Sequence, residues 1–180
     1  MAYIPQAANP AFAYSVLDAV LLGRTSHVGM FASPGSRDYE LAAAALDDVG
    51  ISHLKDKPYT QISGGERQLT LVARALAQDT PLMFLDEPTS HLDYRNQTRV
   101  LTTVRRIMAE KGLTVLMTLH DPNLALHYAD RAVLLEQGRV RCHGPAHEVI
   151  TAENLSRMYD LSLEVVRHAG GSFICLKGAA

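Results

Sequence analysis

The apolar positions of this chain fall into helical stripes and short unbroken runs that alternate along its length. Leu69, Val72, Ala73 and Leu76 recur at i, i+3, i+4 and i+7, one face of a helix, directly after the glycine turn Ser63-Gly64-Gly65. Leu82, Met83, Phe84 and Leu85 then form a continuous apolar run after Pro81, the pattern of a strand buried on both faces of a parallel sheet. A helix is predicted from about Tyr94 to Glu110, burying Val100, Leu101, Val104, Ile107 and Met108, and the apolar run Thr114–Leu119 follows it. Together these make a βαβ unit, whose crossover is expected to be right-handed.

The flanks are shorter. Residues 1–8 read as a strand remnant and loop, and Val16–Arg24 as a short helix with Leu17, Val20 and Leu21 on one side. After a break at Ser33–Ser36, Ser36 is a fair N-cap for a helix across Asp38–Val49, with Gly50 as its stop. Downstream, Pro122–Tyr128 reads as a helix, and Arg131–Glu136 with Val140–His143 as antiparallel strands joined across Gln137-Gly138. Pro145–Ile150 and Thr151–Tyr159 are two helical runs, the second capped by Thr151. Glu164–Arg167 and Ser172–Lys177 suggest two last strands around Gly170-Gly171.

Two of these pieces carry candidate chemistry. Glycines at a helix N-terminus leave backbone N–H groups free, and with the Ser63 hydroxyl and the helix dipole they suit an anion such as a phosphate. An ordinary Ser-capped helix gives the same pattern. Asp86 and Glu87 end the Leu82–Leu85 strand, where open α/β sheets place their ligand sites. Two adjacent carboxylates there need a cation or a proton to relieve their repulsion. Mg²⁺ at Asp86 and a lytic water at Glu87 would satisfy both. His120 stands out among the eight histidines because it follows a strand run neighbouring the one with those carboxylates.

The residues then carry a family resemblance. ISGGE at Ile62–Glu66 resembles the signature motif of ABC-type ATPases, LMFLDEP at Leu82–Pro88 their Walker B strand with its catalytic glutamate, and SHLD at Ser90–Asp93 their D-loop. His120 is similar in position to their switch histidine, and YIPQ at Tyr3–Gln6 resembles their Q-loop. Order and spacing agree across nearly the whole chain. The family's phosphate loop, G-x-x-x-x-G-K-S/T, occurs nowhere in the sequence, which begins four residues before the Q-loop's Pro5-Gln6. The expectation is an α/β, P-loop NTPase-like ABC ATPase with a mostly parallel sheet and a helical subdomain, without the N-terminal strands and phosphate loop. Its parts would be a helical subdomain at about 9–78, the Walker B to switch-histidine core at 79–143, and C-terminal helices and strands at 144–180.

The resemblance also implies the chemistry. ATP and Mg²⁺ would be the cofactors, with Asp86 and Gln6 on the metal and Glu87 and His120 catalytic. Ser63, Gly64, Gly65, Glu66 and Asp93, with Gln6, would contact nucleotide, the Ser63–Gly65 turn serving the opposite domain's nucleotide. The partners would be a second ABC nucleotide-binding domain, either a homodimer mate or a full-length partner, and transmembrane permease subunits. That puts the chain in the cytoplasm, peripheral on the inner face of the membrane. The stretches SVLDAVLLGR and GPAHEVITAENLSRMYDLSLEVV most resemble the importers of iron-siderophore, haem or cobalamin. Two other readings are a non-transport ABC ATPase acting on DNA or ribosomes, and a degenerate, non-catalytic partner of a full domain. DNA-acting members carry a very long coiled coil between Q-loop and signature, where this chain has residues 7–61.

Composition adds little and excludes some classes. With 180 residues, 47% apolar content and a net charge of −2, the chain can bury a sizeable core, and nothing in the balance suggests nucleic acid. No apolar run approaches the roughly 20 residues of a membrane span, and MAYIPQAANP lacks the charged start and apolar core of a signal peptide. Cys142 and Cys175 read as reduced thiols.

Overall fold

The computed structural model describes residues 1–5, 14–29, 32–168 and 171–178. The chain divides into two compact units, Met1–Thr118 and Leu119–Ala180. The predicted helical segment and the first strands therefore share one unit, and the break falls between Thr118 and Leu119, at the end of the second apolar run.

The first unit is built on a three-stranded parallel sheet, β1 (Ala2–Ile4), β2 (Leu82–Leu85) and β3 (Thr114–Met117), with β2 in the middle. Register pairs Tyr3 with Phe84 and Phe84 with Leu116. Ala2, Ile4, Met83 and Leu85 turn into the core, all at most 4% exposed. They meet Leu69 and Val72 of α3 (Gly64–Leu76) and Val100, Val104 and Ile107 of α4 (Tyr94–Lys111). Burial on both faces is not what the sheet shows. Tyr3 and Leu116, on the opposite face, are 50% and 56% exposed, because the helices of this unit pack on one side and the strands alternate with period two. Among the described strands β3 has one partner and so presents an open edge, whereas β2 is paired on both sides.

Two helices and a short 3-10 turn pack against α3. In α1 (Val16–Leu21), Ser15 and Asp18 form a capping box, and a single turn of 3-10 helix, Leu22–Arg24, follows. A Cβ at Gly23 would stand 2.1 Å from the Arg74 carbonyl oxygen, so only glycine lets this turn pack against α3. α2 spans Ser36–Asp48, and its N-cap is Gly35 rather than Ser36. The cap is made from the other side: the Asp38 carboxylate accepts the Gly35 N–H at 3.0 Å. The helix ends as expected at Gly50, φ +73°, with Ile51 N–H on the Leu46 carbonyl and Gly50 N–H on that of Asp47, a Schellman closure. Arg24, 7% exposed, donates to Asp38 at 3.0 Å and to the Ala77 carbonyl at 2.8 Å, so one guanidinium joins α2 to the end of α3.

The second unit holds α5 (Pro122–Tyr128), the hairpin β4 (Arg131–Glu136) and β5 (Arg139–Pro145), α6 (Ala146–Val149), α7 (Ala152–Tyr159) and the hairpin β6 (Leu163–His168) and β7 (Gly171–Leu176). Gln137 and Gly138 both take positive φ, +49° and +74°, which is the turn that a two-residue hairpin favours. Thr151 caps α7 through the Asn154 N–H. Val149, Ile150, Leu155 and Ile174 form its core, and Asn123 bonds both the N–H and the carbonyl of Ile174. Both cysteines are free thiols.

Two carboxyls make the first unit acid-sensitive. The Gly35 N–H and then Arg24 hold the Asp38 carboxyl below the usual range, and the Ser63 hydroxyl and N–H do the same for Glu66. A lowered folded-state pKa gives stability above the ordinary carboxylate range, about pH 4, that is lost as pH falls through the folded value. Asp38→Asn should therefore lower the thermal midpoint at pH 7 and shrink the difference from the parent at pH 3, which circular dichroism melts at both pH values will show.

Candidate functional site

β2 delivers Asp86 and Glu87 to the carboxyl end of the parallel sheet. Asp86 N–H still bonds the Ile4 carbonyl at 2.9 Å, so it continues the ladder from β1, and both residues are half-buried. Each Asp86 oxygen accepts a hydrogen bond: Oδ1 from Thr118 Oγ1 at 2.8 Å and Oδ2 from the Tyr3 hydroxyl at 3.2 Å. The Tyr3 ring stacks on Phe84 with centroids 5.5 Å apart, which aims its hydroxyl along the strand. Partial burial, with the hydrogen bond to Asp86 and its charge, raises the Tyr3 phenol above its usual range, so it stays a donor.

Glu87 leaves the strand in the left-handed region, φ +47°, where a side chain is disfavoured. Its carboxylate accepts from Ser90 Oγ at 2.7 Å, and its carbonyl accepts the Ser90 N–H at 3.1 Å. The donors here are carboxylates and hydroxyls, all oxygen, which suits a hard cation such as Mg²⁺. Among the described residues no three His, Cys, Asp or Glu gather into a metal cage. A cation at Asp86 would thus fill its shell with water and phosphate oxygens, the habit of Mg²⁺.

The SGG turn opens α3 as expected. Ser63 and Gly64 are exposed and Gly65 is buried. The Ser63 hydroxyl is engaged by Glu66: it donates to Oε2 at 2.7 Å, while the Ser63 N–H reaches the same oxygen at 2.8 Å. Glu66 thus lays its own carboxylate on the helix N-terminus. Gly65 packs against the D-loop helix; a Cβ there would lie 2.3 Å from Asn96 Oδ1. Asn96 is in turn held by Asp93, which caps α4 and accepts its backbone N–H at 2.8 Å and its side-chain amide at 3.0 Å. Asp93 and the signature turn are therefore linked through one asparagine.

Asp86 and Glu87 are brought together with Thr118, Tyr3 and Ser90; Ser63–Glu66 are joined to Asp93 through Asn96. Gln6 lies outside the described residues. His120 is exposed, three positions past β3, and belongs to the second unit. Thr118 and Asn96 are contributors that motif reading misses, while Tyr3 and Ser90 lie inside the YIPQ and SHLD motifs without a role of their own. Of these Thr118 had a signal: a hydroxyl one position before the end of the apolar run Thr114–Leu119.

Residues 1–90 match the ABC transporter family. The molybdate import ATP-binding protein MolC of Haemophilus influenzae is 41% identical over 161 residues, 89% of this chain and 63% of that protein. The probable iron chelatin transport ATP-binding protein of Helicobacter pylori is 39% identical, over 93% of this chain and 66% of its own length. The chain thus spans a little under two thirds of these relatives. A solved structure described as an inward-facing metal-chelate type ABC transporter superposes with a TM-score of 0.89 at 38% identity, covering 96% of this chain and 69% of that one. The family model over half of the chain and relatives about 40% identical over most of it show that this chain belongs to the ABC transporter family.

Proposed function

We propose that the chain is part of the ATP-binding and ATP-hydrolysing subunit that energises an ABC membrane importer. The observation that supports this best is the pair of strand-end carboxylates fixed by Thr118, Tyr3 and Ser90. Asp86, with Gln6, would hold Mg²⁺, which would supply neutralisation of phosphate charge. Asp86 orients that cation. Glu87 accepts a proton from the attacking water, and Ser90 fixes the carboxylate that does so. For Gln6 and His120 the family resemblance implies roles toward the water and the γ-phosphate. Gly64 and Gly65 present backbone N–H groups to a nucleotide on a second ABC domain, Ser63 joins them once its hydroxyl and N–H leave Glu66, and Glu66 and Asp93 shape that surface. Such a subunit works in the cytoplasm on the inner face of the membrane; among the described residues no helix is long and apolar enough to cross one.

The cargo we infer is a metal-containing anion or chelate, of the iron-siderophore, haem or cobalamin kind. Molybdate import and iron chelatin transport, after which the two relatives are named, support that class. The permease-contacting surface lies in the helical segment 16–60, where Leu22 and Tyr39 are exposed. Cysteines placed at these two positions in a Cys142/Cys175-free chain should crosslink to a polytopic membrane subunit in cells. Capture of DNA or ribosomes in its place would overturn the importer assignment.

A further inference from the structure

β2 and β3 run parallel with Leu85 opposite Met117, so the residues that follow them, Asp86 and Thr118, leave the sheet side by side. The Thr118 N–H donates to the Leu85 carbonyl at 3.0 Å and carries the ladder one step further. Its hydroxyl then works in both directions: it donates to Asp86 Oδ1 at 2.8 Å and accepts the Glu87 N–H at 2.8 Å. A hydroxyl has one proton to give, so the acceptor bond from Glu87 leaves that proton for the carboxylate. Glu87 sits at φ +47°, a conformation that persists in a non-glycine residue only where its surroundings over-determine it. Its N–H has turned away from the strand ladder, and Thr118 Oγ1 satisfies it.

We propose that Thr118 is the positioning residue for both carboxylates, fixing the Asp86 side chain and the Glu87 backbone turn with one hydroxyl. This rests on the proposed reading of Asp86 as the metal ligand and Glu87 as the base. Thr118 acts through its two neighbours, Asp86 and Glu87. Tyr3 bonds the other Asp86 oxygen at the longer distance of 3.2 Å from a half-exposed ring, so it is the weaker restraint. Valine has the shape of threonine and neither donor nor acceptor, and it would leave Asp86 Oδ1 and the Glu87 N–H without this partner. Serine keeps both.

The test is an Mn²⁺ titration of the 180-residue chain followed by electron paramagnetic resonance, Mn²⁺ standing in for Mg²⁺. Asp86→Asn should abolish the bound signal that depends on the site. Thr118→Val should weaken Mn²⁺ binding about 10- to 100-fold, the range for loss of a partner that orients a metal ligand, and Thr118→Ser should restore most of the affinity. Parent-like binding by Thr118→Val, with Asp86→Asn silent, overturns the positioning role alone. Equal losses in Thr118→Val and Thr118→Ser overturn it too, since they would assign the effect to packing. Unchanged binding in Asp86→Asn removes the metal reading and the proposal with it. If Thr118→Val does not fold, judged by circular dichroism, Thr118→Ala against Thr118→Ser supplies the same comparison.

Discussion

Titrated with Mg-ATP, the 180-residue chain should show a dissociation constant no tighter than about 1 mM, worth only about 4 kcal/mol, and no hydrolysis above blank. A phosphate loop gives a triphosphate a ring of backbone N–H groups and a lysine, and this sequence contains no G-x-x-x-x-G-K-S/T. Asp86 and Glu87 alone repel a polyanion. The other phosphate-friendly feature, the start of α3, already carries the Glu66 carboxylate, which an incoming phosphate must displace. The same experiment reads self-association. β3 has an open edge among the described strands, and Tyr3 and Leu116 leave apolar surface on one sheet face, a combination that invites pairing with another chain. Calorimetry beside size-exclusion chromatography checks both halves. Micromolar binding to a clean monomer would reveal a nucleotide site elsewhere in the chain.

Glu87→Gln is expected to have the largest effect on chemistry. In a hybrid that joins a relative's phosphate-loop segment ahead of Met1, the substitution should cut turnover by roughly 10²-fold or more while ATP binding stays intact. Glutamine keeps the length of the side chain and an oxygen for Ser90, so the geometry survives and only the basicity is lost. His120→Ala should slow the same reaction without loss of Mg²⁺ affinity. Turnover that is unchanged in Glu87→Gln would move the base to another residue.

The parts of the site legible in the sequence are those whose signal is local. The SGG turn and α3 are written in four apolar residues at helical spacing, and Asp86-Glu87 in the run that precedes them. What connects the pieces is not local. Thr118 meets Asp86 only because β2 and β3 pair in a particular register, and Asn96 meets Gly65 only because two helices pack without a Cβ between them. A cap can also be made from inside the helix, as Asp38 makes it for Gly35, so Ser36 ahead of an acidic turn misleads by one residue. The apolar run Leu82–Leu85 gives strand and position correctly but overstates burial, since composition records what a face can bury and packing decides what covers it. Gln6 lies outside the described residues, and its role stays with the family resemblance.

The pairing of β1 with β2 sets a schedule for synthesis. Ala2 finds its partner in Met83, 81 residues further along the chain, and every hydrogen bond that β1 makes to the other described strands waits for that stretch. At the usual pace of about 5–20 residues per second, the first strand leaves the ribosome roughly 4–16 seconds before its neighbour is made. During that interval α1, α2 and α3 can form from local contacts, whereas Ala2 and Ile4, fully buried in the end, must remain in water or under a chaperone. Closing the sheet is then a long-range step that waits for β2, and slowing the codons between α3 and β2 would lengthen the exposure of the strand from which Tyr3 reaches Asp86.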